Sequence, residues 1–154
     1  MTVQLTEDMK EVLRSNICYF ATCSKDGKPN VVPIGLVESL SDSEVLVIDV
    51  RFDKTRKNLE ENPEVAIAVT DIKRHQAYQI KGNAKVITSG PLFENALKIA
   101  EEKSEKRKNM MKKRFEEIQD PELKRLYKKR MEKHQGLKPK AAVRIKINEI
   151  YSTM

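Results

Sequence analysis

The stretch FDKTRKNLEENPEVAIAV, residues 52–69, places a Lys-Thr pair where a short helix begins. A helix start exposes unpaired backbone N–H groups and a partial positive charge, so it receives phosphate well. Lys54 adds a full charge there and the Thr55 hydroxyl a further donor. Asp53 works against an anion, because as an N-cap it would take the same N–H groups and repel negative charge. These residue types alone allow either a phosphate site or a solvated helix start.

Other reactive side chains form no motif. Cys18 and Cys23 stand five apart, which on a strand points them to opposite faces, and the spacing matches no metal site. Two buried or half-buried free thiols are expected. His75 and His134 are distant in sequence and lack an HxxxH or HExxH context. Tyr78, Cys18 and His75 are acid–base candidates by type only, and each is expected to be structural.

The elements that must position the Lys-Thr start read as follows. TEDMKEVLRS is an opening helix capped by Thr6 or Asp8, with acids in its first turn. ICYFATCS (17–24) is a strand, and Asp26-Gly27 is a turn into a second strand running to about residue 40. Pro33 lies inside that strand and cannot donate to a ladder, which predicts an edge, a bulge or a break beside a ligand. VLVIDV (45–50) is the third strand, Asp53 caps a helix over 54–61, and Pro63 ends it. EVAIAVT (64–70) and AYQIKGNAKVIT (77–88) are further strands, with Gly82 predicting a bulge. Residues 91–135 read as charged helices, one starting at Asp120-Pro121 and ending at Gly136. AAVRIKINEIY (141–151) alternates as a half-buried strand does.

That order predicts one α+β domain over residues 1–154, mainly β: a six-stranded antiparallel split barrel with a helical insertion at about 91–135 before the last strand. No GxGxxG, GxxxxGK[ST] or βαβ rhythm supports a dinucleotide or P-loop fold. No apolar run of about 18 residues is present and the N-terminus does not read as a signal peptide, so a cytoplasmic protein without a membrane span is expected. Net charge is +7. Residues 91–140 carry 16 Lys/Arg against 9 Asp/Glu, and the rest of the chain is balanced, so the excess lies in the helical segment.

Four pieces, in order, resemble the FMN-binding split-barrel proteins related to pyridoxamine 5′-phosphate oxidase: YFATCSKDGKPNVVPIG, VIDVRFDKTRKNLEENPEVAIAV, AYQIKGNAKVITSGPLFE and KAAVRIKINEIY. The resemblance implies a homodimer with FMN at its interface. It implies that Lys54 and Thr55 hold the FMN phosphate, aided by Arg51. The backbone of Val32, Pro33 and Ile34 would follow the flavin edge, and Val50, Arg51 and Phe52 would lie beside the ribityl chain and ring. Gln79 and Lys81 are implied as outer contacts, while Asn58 is expected to tie the short helix to its loop. The flavin would supply electron transfer in a flavin-dependent oxidoreductase or electron carrier. With no Trp in the chain, the resemblance does not extend to the substrate-gripping region of pyridoxamine 5′-phosphate oxidase itself.

Two other readings compete. On the same fold, a deazaflavin (F420) with its anionic tail could replace FMN and use the basic helices. A nucleic-acid-binding protein could use KRKNMMKKR and KRLYKKRMEK, but acids interrupt the stripe and few aromatics are present for stacking. A solvated Lys/Glu helix face is the simpler account of that segment.

Overall fold

A computed structural model describes residues 3–49, 51, 53–133 and 138–154. The chain runs α1 (Glu7–Ser15), β1 (Cys18–Cys23), β2 (Pro29–Ile34), β3 (Val37–Ser39), β4 (Glu44–Asp49), α2 (Asp53–Glu61), β5 (Glu64–Asp71), β6 (Gln76–Ile87), α3 (Pro91–Glu117), α4 (Pro121–Lys133) and β7 (Ala141–Ser152). The seven strands form one antiparallel sheet in the order β2-β1-β5-β6-β7-β4-β3.

The order forces the sheet to curl. β2 and β3 are its two edges, yet only Gly35 and Leu36 separate them in the chain. A flat sheet would hold those edges about 29 Å apart, and so short a link spans at most about 11 Å. The predicted single strand to residue 40 is therefore two strands, and the count is seven rather than six. The break falls two residues after Pro33, because each half serves a different edge: β2 pairs with β1, and β3 pairs with β4.

Curling makes an interior. Phe20, Ile67, Val69, Ile80, Val143 and Ile145 fill it, and Val12 and Leu13 of α1 join the same cluster. β4 is buried on both faces: Val45 and Val47 point inward, while Leu46 and Ile48 meet Ala96 and Ala100 of α3 outside the sheet. This is why VLVI, residues 45–48, is continuously apolar instead of alternating.

Local signals act as anticipated in several places. Thr6 caps α1, its hydroxyl accepting from the Met9 N–H at 3.3 Å. Gly27, at φ 82°, closes the β1–β2 hairpin. The ladder slips between Lys81 and Gly82, where an added Cβ would meet the Lys146 carbonyl oxygen at 2.2 Å, so only glycine fits. The Asp120 carboxylate accepts from the Glu122 N–H at 2.9 Å ahead of Pro121. Asp53 is different: it is the first helical residue of α2 and not its cap. The expected helix end at Gly136 lies outside the described residues.

Candidate functional site

β4 ends beside α3, and the chain turns through Arg51 into α2, whose first turn carries Asp53, Lys54 and Thr55. Arg51, Asp53 and Lys54 are exposed. Among the described residues no carboxylate pairs with Arg51 or Lys54; the Arg51 Nη2 contact is with the Lys133 carbonyl oxygen at 3.5 Å. Two cations thus stand at the start of a helix, and among the described residues no carboxylate pairs with either, with Asp53 their nearest acid in the chain.

Thr55 has another position. It is 1% exposed, and its Oγ1 accepts from the Asn30 amide of β2 at 3.0 Å. Asn30 Nδ2 also reaches Thr22 Oγ1 of β1 at 3.5 Å, and Asn58 Nδ2 of α2 donates to the same Thr22 oxygen at 3.1 Å. Four side chains therefore bind the helix start to the β1–β2 hairpin. Asn58 ties α2 to a strand, where a tie to the loop was expected. Thr22 and Asn30 are the members that sequence reasoning missed. Their signal was faint: two polar residues at facing positions of a hairpin that otherwise turns apolar side chains inward. The Thr55 hydroxyl keeps its own proton for a further acceptor.

Val32 packs partly against the interior, Ile34 is buried in it, and Pro33 is exposed on the edge strand opposite Tyr19. Pro33, Ile34 and Arg51 line one cleft of about 860 Å³ between the β2–β3 junction and the α3–α4 hairpin. Its far wall includes Met111 and Phe115 of α3 and Met131 of α4.

Gln79 and Lys81 lie on the outward face of the sheet. Successive pairings align Pro33, Tyr19, Ala68, Gln79 and Tyr151 in one row, and Val31, Ala21, Ala66, Lys81 and Glu149 in the next. The ladder sets Gln79 three strands from Pro33, about 14 Å along the sheet. Lys81 Nζ sits 5.8 Å from the centre of the Tyr151 ring. Val50 and Phe52 lie outside the described residues.

The candidates by residue type lie apart from one another. Cys18 is buried, its thiol facing the Leu13 carbonyl oxygen at 3.5 Å, and burial pushes its pKa up to about 12, so it offers no thiolate near neutrality. Tyr78 packs on the interior. His75 is an exposed turn residue at φ 55° between β5 and β6. His134 lies outside the described residues, and among those described no cluster of metal ligands occurs. No described helix is long and apolar enough to cross a membrane.

Comparison with known proteins extends these observations. The family model described as pyridoxamine 5′-phosphate oxidase matches residues 5–154. An uncharacterized protein of Methanocaldococcus jannaschii is 37% identical over 152 residues, covering 97% of this chain and 81% of the relative. The crystal structure of HupZ from Group A Streptococcus is 23% identical, has a TM-score of 0.69, and matches over 97% of this chain and 94% of its own. An FMN-binding protein from Syntrophomonas wolfei (16% identical, TM-score 0.53, 94% and 83% covered) and an F420 reductase (13% identical, TM-score 0.59, 96% and 98% covered) share the fold at greater distance. Identities this low establish the fold alone, and the named ligands differ. The choice of cofactor must therefore rest on this chain's own residues.

Proposed function

We propose that this chain, which belongs to the pyridoxamine 5′-phosphate oxidase family, is a flavoprotein that binds FMN with its phosphate at the start of α2 and its ring edge along β2. One observation carries the reading: Arg51, Pro33 and Ile34 line the same cleft, and the Asn30–Thr55 bond fastens α2 to the strand that carries Pro33 and Ile34. A phosphate subsite and a ring subsite held by one rigid unit suit a ligand that carries both.

The residues fit the group. Arg51 and Lys54 supply charge for the phosphate, and the first-turn N–H groups of α2 and the Thr55 hydroxyl supply donors. Val32, Pro33 and Ile34 offer backbone to the ring edge, and Pro33, having no N–H, leaves the edge strand without a donor at that point. Gln79 and Lys81 belong to the outward face that a second copy would cover. That face exposes Tyr19 (52%) and Val31 (62%), with Ile17 beside it, an apolar surface suited to a homodimer. Bound flavin supplies one- or two-electron transfer, and the protein sets position and access in an oxidoreductase or electron carrier.

The test compares FMN with riboflavin, which lacks the phosphate. The purified protein should show flavin absorption or quench added FMN, and should bind FMN more tightly than riboflavin. In an Arg51→Ala, Lys54→Ala double variant, FMN binding should weaken about tenfold or more while riboflavin binding stays constant. Equal binding of the two ligands by the parent would overturn the phosphate site, and absence of FMN binding would overturn the flavoprotein reading. A deazaflavin instead of FMN would be recognised by absorption at shorter wavelength.

A further inference from the structure

The cleft continues beyond Pro33 and Ile34 beneath α3 and α4, and its charge there is one-sided. Six cations line it against two carboxylates, Glu105 and Glu132. Two of the cations are already paired: Lys103 Nζ lies 2.8 Å from Glu38 Oε1, and Lys108 Nζ lies 3.3 Å from Glu105. Among the described residues no carboxylate pairs with the other four, Arg51, Arg107, Lys112 and Lys128. These four come from the β4–α2 turn, α3 and α4, so three parts of the chain direct charge into one concavity.

Apart from Ser104, the rest of the lining is apolar. Leu36 and Ile48 line it on the sheet side, Met111 and Phe115 on α3, and Met131 on α4. Each of the four is exposed, so solvent reaches it, but a concavity lined by one sign of charge focuses their summed potential on whatever enters. Arg107 is also seated. A Cβ on Gly35 would run into its Nη2, so the guanidinium lies against the β2–β3 link in space that a larger residue at 35 would make it leave.

We propose that the α3–α4 half of this cleft is the substrate site, and that it takes an organic anion with a broad apolar body. The body contacts Met111, Phe115 and Met131, and the anionic group is received by Arg107, Lys112 and Lys128. As the substrate site of a flavoprotein it rests on the reading above, because it opens onto the β2 edge assigned to the flavin ring. The helical insertion, on this account, is a roof that selects by charge.

Two dyes that share a phenylnaphthylamine body test this: 8-anilinonaphthalene-1-sulfonate, an anion, and N-phenyl-1-naphthylamine, its neutral counterpart. Each is titrated into protein preloaded with FMN and into protein without it, and dye fluorescence is followed. The anion should bind at least about tenfold more tightly than the neutral dye. Arg107→Gln should weaken the anion about fivefold to tenfold and leave the neutral dye unchanged. Gly35→Ala, which displaces the guanidinium without removing it, should weaken the anion in the same direction by a smaller factor. Equal affinity for the two dyes, or an anion affinity untouched by both variants, overturns the proposal. Because the dyes are read with and without FMN, a protein that binds no FMN but passes the dye test loses the flavin reading alone. A protein that binds FMN and fails the dye test loses the anion site alone.

Discussion

The sheet interior and the α3–α4 hairpin are built from opposite materials. The interior is almost wholly Val, Ile, Leu and Phe, drawn from all seven strands and three helical or link segments that are far apart in sequence. In the hairpin, α3 buries only Ala96 and Ala100, at its N-terminal end, and α4 buries no residue at all. Beyond residue 100 it is held by half-buried contacts such as Lys124 Nζ over the Phe115 ring at 4.9 Å. One region is ordered by removal of apolar surface from water. The other keeps its charge and leaves Met110, Leu123 and Leu126 exposed. A segment with so little burial contributes little to folding, so its composition is free to serve binding.

If that contrast is right, substitutions should separate the two regions by size of effect. The largest loss is expected inside: Ile67→Ala, at a site 1% exposed, should lower unfolding free energy by about 3–4 kcal/mol in urea denaturation. A loss below about 1 kcal/mol would mean the interior is loosely packed.

Next comes the polar tie between hairpin and α2. Asn30→Ala removes the donor to Thr55 and leaves a buried hydroxyl without it, at a cost of about 1–3 kcal/mol. The same variant should weaken FMN binding, because the helix start would no longer be held to β2. Loss of stability with FMN affinity unchanged would separate the tie from the proposed phosphate site.

A smaller effect, one that fades only in acid, belongs to the β5–β6 turn. The Arg74 backbone N–H, then the Asn16 amide and the Arg74 guanidinium, hold the Asp71 carboxyl down to about 2. A carboxylate with a depressed folded pKa stabilises the fold fully above its ordinary value of 3.8 and loses that contribution as pH falls through about 2. The stability difference between the parent and Asp71→Asn should therefore be constant near neutrality and shrink between about pH 4 and pH 2. A difference independent of pH over that window would show that Asp71 acts by shape and not by charge.

The smallest effect is expected on α4. Leu126→Ser, at a residue 48% exposed, should change stability by no more than about 0.5 kcal/mol. A loss above about 2 kcal/mol would show that a second copy or another surface buries this face, and the contrast between the regions would fail.

Much of the sheet was legible because its signals are local. Asp26-Gly27 closes a hairpin, Gly82 sits where the ladder slips, and Asp120-Pro121 starts a helix, each for a reason contained in a few residues. The division of the second strand was not legible. Nothing in NVVPIGLVESL shows that its two halves serve opposite edges, since that depends on how far the whole sheet curls. The site divides in the same way. Arg51 and Lys54 stand out by type and spacing, and the structure leaves both exposed at the start of α2. Thr55 stands out equally, yet its hydroxyl faces Asn30, a residue 25 positions earlier.

By itself the sequence determined the period of each strand, the turns and caps, the segregation of positive charge into one segment, and the likeness of four ordered pieces to a flavin-binding family. These are properties of neighbouring residues, for which backbone geometry and side-chain type suffice. Only the tertiary structure decided that the sheet closes on the Gly35-Leu36 link, that Thr22 and Asn30 bind α2 to the hairpin, and that Arg51, Arg107, Lys112 and Lys128 line one cleft. Those are contacts between residues tens of positions apart, and they exist only once burial of the apolar interior has brought the strands together.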